Sequence, residues 1–420
     1  MKKYIIHRCS INNHPARSLS AKQRNTYVAG LSSLLAEISA CDEYMRMLCN
    51  IWCGSIVGRE QTAFRSNPKK VKQSLSIQRT GFRFFWIRYE LLFDCYYLVE
   101  SWDSSKLPAL YDLLHSNYCK WFRKRILRNV HSYFMENKPC SRIPTPLVLH
   151  RLDTLSFESS PLKKVLVVAN VSAGKSTLIN AITGVRTCKT ANLACTTNLK
   201  YIFNKNHEDG FTYFSSSEKK YQYTYYLDSL KTENASHIAF HFNSSLSDTN
   251  ICLIDTPGVN DSHNSNNGRT TLEAIRQNQY DVLLFIANAK NFGTDDDKKL
   301  LHKIVKHCKK PVVFILNQLD CFKQSEDSIE KMITDFSNDM VKMGVNSPII
   351  APVSAKAALL MKRNPNELDD DDSSELDLLK KRFSRPYYNL QAYTTNNTHP
   401  SITSATGIDN LELLIKNLTP

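Results

Sequence analysis

Residues 165–184 read VLVVANVSAGKSTLINAITG. An apolar run, Val165–Ala169, leads into Asn170-Val171-Ser172-Ala173-Gly174-Lys175-Ser176-Thr177, and a segment of helical period follows. Strand, small-residue loop and helix in this order build a cradle for phosphate. The loop N–H groups turn inward, and the helix N-terminus adds its partial positive charge. Lys175 is expected at the β- and γ-phosphates, and the Ser176 hydroxyl on Mg²⁺. Ala169 stands where a first glycine is usual, but Gly174 before the lysine is kept.

Four further elements follow along the chain. Cys195-Thr196-Thr197-Asn198 supplies a threonine to sense a γ-phosphate and complete the Mg²⁺ shell; Thr197 is the first choice and Thr196 the second. Asp255-Thr256-Pro257-Gly258 closes the run ICLI, with Asp255 expected to hold Mg²⁺ through water and the Gly258 N–H to meet the γ-phosphate. Asn317-Gln318-Leu319-Asp320 closes VVFIL. The Asp320 carboxylate can accept from guanine N1–H and the 2-amino group, a pair that adenine does not offer. Ser354-Ala355-Lys356 closes IIAPV and is expected to contact the base from the far side. The threonine element precedes the second strand, and each of the other three ends a strand, where ligands of open α/β sheets bind. The expected metal ligands are Ser176, Thr197 and Asp255, and the expected cofactors are GTP/GDP and Mg²⁺.

Apolar runs at 165–169, 199–203, 238–242, 251–254, 282–287, 312–316 and 349–353 alternate with helical segments. That alternation predicts a mainly parallel sheet flanked by helices. Before it, residues 1–140 show apolar residues at helical spacing, as in Val28, Leu31, Leu35, Ile38, Met45, Leu48 and Trp52. Three or four helices are expected there, with the aromatic stripe from Phe82 to Tyr97 as their core. The prolines of PCSRIPTP (139–146) mark residues 141–160 as a linker. The acidic stretch near 364–375 reads as a solvated loop within a domain spanning 161–420.

The chain of 420 residues carries 54 Lys+Arg against 40 Asp+Glu. Residues 1–160 hold 24 basic and 12 acidic side chains, a net +12, which leaves +2 for the remainder. A basic N-terminal region attracts phosphates of lipid headgroups or of nucleic acid. No apolar run is long enough for a membrane span, and MKKYIIHRCS lacks the apolar core of a signal peptide. The twelve cysteines show no CxxC pair and read as reduced thiols of a cytoplasmic protein. The acidic run Asp295–Asp297 reads as a helix start rather than a metal site.

The loop VSAGKSTLINAITG, with CTTN, ICLIDTPG, FIANAKNFGTDDDKKLL and NQLD, resembles bacterial dynamin-like GTPases of the TRAFAC class. The resemblance covers residues 161–360 well and 361–420 loosely. It implies a P-loop GTPase domain, GTP hydrolysis, and GTP-dependent dimerisation or assembly at an anionic membrane surface. The partner is expected to be a second copy or a paired dynamin-like chain. It also assigns the nucleotide contacts to Asn170, Val171, Ser172, Ala173, Gly174, Lys175, Ser176, Thr177, Thr197, Asp255, Gly258, Asn317, Gln318, Asp320, Ser354, Ala355 and Lys356. The catalytic set is Ser172, Lys175, Thr197 and Gly258.

Val171 departs from a polar loop residue, Gln318 replaces a common lysine, and no glutamine follows Asp255-Thr256-Pro257-Gly258 to position water. Hydrolysis is then expected to be completed across a dimer. The family usually continues into a helical stalk; with nothing after residue 420, the expectation is a shortened member or one half of a pair. Two alternatives stand beside this reading. One is an Era-like, ribosome- or RNA-associated GTPase, although no KH, RNP or OB pattern supports nucleic-acid binding. The other is a regulatory GTP-binding partner with negligible hydrolysis.

Overall fold

The computed structural model describes residues 13–58, 64–77, 84–188, 198–215, 219–224, 226–227, 235–258, 266–365, 368–394 and 401–419. Two compact units arise. One comprises residues 1–159 with 207–209 and 221–223, and the other comprises the remainder.

The first unit is helical, with α1 (Ala21–Ile38), α2 (Glu43–Val57), α3 (Pro68–Leu75), α4 (Phe84–Asp103), α5 (Leu107–Phe122), α6 (Lys124–Glu136) and α7 (Thr145–Ser159). Among the described residues, six α-helices thus stand in 1–140 where the periodicity suggested three or four, and α7 occupies most of the stretch expected to be a linker. The starts are written locally. Ser20 and Gln23 form a reciprocal capping box on α1, and Asn67 caps α3 with Pro68 at its first position. The core gathers Leu31, Leu35, Trp52, Phe93, Tyr97, Leu114 and Val130. Of the aromatic stripe, Tyr89, Phe93 and Tyr96 are buried in this core; Phe82 and the side chains of Phe85 and Trp86 lie outside the described residues. Asp94, fully buried on α4, accepts from Tyr27 Oη at 2.7 Å and lies 3.0 Å from His14 Nε2. A carboxylate taken out of water requires such partners.

The second unit holds β1 (Lys163–Ala169), α8 (Lys175–Thr183), β2 (Lys200–Lys205), β3 (Phe211–Ser215), the two end residues of β4 (Lys220–Thr224, whose residues 221–223 group with the first unit), β5 (Ala235–His241) and β6 (Ile251–Asp255). It continues through α9 (Asn266–Gln277), β7 (Val282–Asn288), α10 (Asp295–His307), β8 (Val312–Asn317), α11 (Ile329–Lys342), β9 (Ile349–Val353), α12 (Ala355–Lys362), α13 (Asp370–Phe383) and α14 (Ile408–Leu418). The sheet order is β4-β3-β5-β2-β6-β1-β7-β8-β9. Strands β6, β1, β7, β8 and β9 run parallel, which sets the ends of β1, β6, β8 and β9 along one edge. Val165, Val167, Leu253, Leu284 and Ile315 are all fully buried, as a doubly covered parallel sheet requires.

The sheet departs from the expected one in two ways. Strand β2 pairs antiparallel with β6, and β3 antiparallel with β5, so the sheet is mixed. Strands β3 and β4 were not expected, because FTYFS and KYQYT mix polar and aromatic residues without a continuous apolar run. The acidic stretch near 364–375 is not a loop throughout: Asp369 caps α13, and Asp370–Asp372 form its first turn, where acids oppose the helix dipole. Asp295–Asp297 likewise open α10 behind a Thr294 cap.

Gly407 precedes α14 at φ +80°, and a Cβ there would lie 2.0 Å from the Pro352 carbonyl oxygen of β9. Gly407→Ala is therefore expected to destabilise the second unit by about 3 kcal/mol, combining left-handed backbone strain with a backbone clash. Thermal unfolding followed by circular dichroism checks this through a drop in Tm.

Candidate nucleotide-binding site

The loop between β1 and α8 is shaped by two residues at positive φ, Ser172 at +64° and Gly174 at +87°. A Cβ on Gly174 would meet Asn317 Nδ2 at 2.4 Å. Glycine is thus required on two grounds, conformation and closeness. Asn317, the last residue of β8, is 2% exposed. Its Nδ2 donates to the Ala173 carbonyl at 3.0 Å, and its Oδ1 accepts from the Ala355 N–H at 3.0 Å. One amide therefore ties the phosphate loop to the strand end that carries the base motif and to the turn after β9.

Gln318 adopts φ +69°, and its Nε2 donates to the Ser172 carbonyl at 3.2 Å. The residue that replaces the usual lysine thus makes a second link to the phosphate loop. Asp320 is held by Ser354, whose Oγ donates to its carboxylate at 2.7 Å. The same hydroxyl accepts from the Ala357 N–H as the cap of α12. Ser354 was expected near the base; its role in aiming Asp320 was not foreseen.

Lys175 Nζ is ion-paired with Asp255 Oδ1. Their side chains are 10% and 2% exposed, so the pair is formed where little water competes. Thr256 Oγ1 donates to the Val167 carbonyl at 2.8 Å, which fastens the Asp255 turn to β1. Val171 is 44% exposed, and Gly258 approaches it closely enough that a Cβ would stand 3.3 Å from its Cγ2. Ser172 is exposed, while Gly174, Lys175, Ser176 and Thr177 are half-buried at the start of α8. Thr196 and Thr197 lie outside the described residues.

The donor set suits Mg²⁺. The Ser176 hydroxyl and the buried Asp255 carboxylate are both hard oxygen donors of the kind this ion takes. No group of three or more His, Cys, Asp or Glu placed to hold a metal ion occurs among the described residues. A Mg²⁺ ion completed by phosphate oxygens and water needs none.

Three groups escaped the sequence reading. Asp297 of α10 accepts from Asn170 Nδ2 at 2.6 Å and thereby fixes the first residue of the phosphate loop. The spacing from Asn170 gives no hint of it. Asn180 of α8 brackets Cys188, donating to its carbonyl at 2.8 Å and accepting from its N–H at 2.9 Å. Burial, and then the Asp255 charge, push the Cys188 thiol up to about 11, so it is no nucleophile at neutral pH. Arg382 of α13 donates to the Asp320 carbonyl.

Asn317→Ala removes two buried hydrogen bonds and leaves the Ala173 carbonyl without this donor. The expected loss is about 2–4 kcal/mol of stability, read as a lower midpoint in denaturant titration with an unchanged slope.

Residues 165–319 match the model of the dynamin family. The chain is 27% identical over 225 residues, 54% of its own length and 22% of the relative's, to a probable transmembrane GTPase FZO-like, chloroplastic, of Arabidopsis thaliana. It is 26% identical over 171 residues, 40% of its length and 28% of the relative's, to the GTPase Der of Campylobacter hominis. The chain thus spans between about a fifth and a half of the curated relatives it matches. Among solved structures, an oligomerised bacterial dynamin pair described as sensing and tethering membranes aligns at 14% identity. That alignment covers 97% of this chain and 62% of the other, with a TM-score of 0.38. The phosphate loop, the Asp255 turn and Asn317, set along one sheet edge, all fall within residues 165–319, the stretch that is similar to the dynamin family.

Proposed function

We propose that this chain binds GTP with Mg²⁺ at the edge formed by β1, β6, β8 and β9 and hydrolyses it to GDP and phosphate. The observation that carries this reading is the amide of Asn317, which locks the phosphate loop and the base motif into one rigid receptor. Lys175 binds the β- and γ-phosphates, while Ser176 and Asp255, with Thr197, hold Mg²⁺. The ion supplies charge neutralisation on the transferring phosphoryl group. Nucleotide phosphates and Mg²⁺ take over the two charges that Lys175 and Asp255 here direct at each other. Asp320, aimed by Ser354, reads guanine, and Ala355 and Lys356 border the base.

We further propose that the active site is completed by dimerisation, and that assembly occurs at an anionic membrane surface. The turn after Asp255 carries no glutamine to position water, which supports a contribution from a second chain. The net +12 of residues 1–160 supports attraction to acidic lipids. Helix α6 illustrates the pattern: Ile126, Leu127 and Val130 are buried while Lys124, Arg125 and Arg128 face solvent. No helix among the described residues is long and apolar enough to cross a membrane, so the proposed association is peripheral.

Lys175→Ala is expected to abolish GTP binding, because no other cation of the loop reaches the phosphates, and a titration with fluorescent GTP checks it. Normal binding by that variant contradicts the site. For assembly, GTP turnover per chain is expected to rise with protein concentration and with anionic liposomes. A flat rate under both conditions contradicts the assembly proposal while leaving nucleotide binding in place.

A further inference from the structure

We infer that helix α13, which lies beyond the sequence motifs, is a positioning element for guanine recognition, with Arg382 as its key residue. The inference rests on the reading of Asp320 as the guanine acceptor. Base discrimination by a carboxylate depends on where its main chain sits, since a small displacement lengthens both hydrogen bonds to the base. The turn that carries Asp320, residues 319–321, is a single short 3-10 turn and has little rigidity of its own.

Its support comes from α13 and the turn that follows. Arg382 Nη1 donates to the Asp320 carbonyl, a charge-assisted bond onto the residue that reads the base. The Arg382 guanidinium lies over the Tyr388 ring, 5.6 Å from its centroid. Tyr388 is buried, and its hydroxyl donates to the Phe322 carbonyl at 2.7 Å, two residues after Asp320. The main chain is therefore gripped at 320 and 322 by two side chains that also stack on each other. Ser354 holds the carboxylate itself. Two of the three contacts hold the main chain around Asp320 and the third holds its carboxylate.

The same helix reaches two other parts of the site. Glu375 pairs with Lys356, the lysine of the Ser354-Ala355-Lys356 motif, at 2.5 Å. Asp372 pairs with Arg363 at 2.9 Å and with Arg186 at 2.6 Å, just before the segment that leads to Thr196 and Thr197. Arg382 is the positioning residue assigned here, because its guanidinium hydrogen-bonds to the base-reading residue.

The test compares GDP with IDP, which lacks the 2-amino group, by competition against a fluorescent guanine nucleotide. The proteins are the wild-type chain, Arg382→Gln, Arg382→Lys, Tyr388→Phe and a charge control, Lys381→Gln. Wild type is expected to prefer GDP. Arg382→Gln is expected to reduce the GDP-over-IDP ratio by about tenfold, the size of one charge-assisted hydrogen bond. Arg382→Lys restores part of the ratio, Tyr388→Phe lowers it less, and Lys381→Gln keeps it.

Equal loss of GDP and IDP affinity in Arg382→Gln makes the arginine merely structural and overturns the inference, as does an unchanged ratio. If Arg382→Gln does not fold, an unchanged ratio in both Arg382→Lys and Tyr388→Phe overturns it. A wild-type chain that binds GDP and IDP alike overturns the underlying reading of Asp320 instead, which keeps the two failures apart.

Discussion

The site depends on one side-chain amide. Asn317 sits at the end of β8, almost wholly buried, and bonds to the phosphate loop on one side and to the turn after β9 on the other. Without it, the three loops would keep only the Gln318–Ser172 and Ser354–Asp320 links, and the distance between phosphate and base contacts would be less firmly held. With it, that distance is fixed before any ligand arrives, so little ordering remains to oppose binding. Gly174 belongs to the same constraint, because the amide occupies the space where a Cβ would sit. The parallel order β6-β1-β7-β8-β9 is what brings these ends together.

Much of this was legible in the sequence, and for physical reasons. Continuous Val/Ile/Leu runs mark strands buried on both faces, and β1, β6, β7, β8 and β9 all appear where such runs lie. Motifs at their C-terminal ends are local in sequence, so spacing alone finds them. The strands that escaped, β3 and β4, mix polar and aromatic residues and have no continuous apolar run. The acidic stretch was misread because Asp370–Asp372 looks like a solvated loop in composition, whereas after the Asp369 cap it is a first helical turn. The supporting residues Asp297 and Arg382 escaped for a different reason. Each acts on a partner far along the chain, 127 and 62 residues away, and no periodicity encodes a tertiary contact.

The helical unit reads differently. Its core is rich in aromatic residues, with Phe93 stacked on Tyr97 and Phe134 against both Phe93 and Tyr96. Such large, stiff side chains bury much area at small entropic cost. On α3, Val71 and Leu75 are buried while Lys69 and Lys72 are exposed. Lys72 lies 5.4 Å from the centre of the Trp121 ring, which is itself 40% exposed. Core and charge are thus separated on α3 and α6, whereas α4 buries Glu90 and Asp94 and α7 buries Arg151.

The central claim is that the strand-end edge is a guanine nucleotide receptor. Calorimetric titration of the full chain with GDP and with ADP, both with Mg²⁺, tests it most directly. The account predicts one GDP per chain and ADP weaker by about 100-fold or more, the scale of discrimination that a site built to hydrogen-bond a missing group provides. Equal affinities, or no heat from either nucleotide, would contradict it.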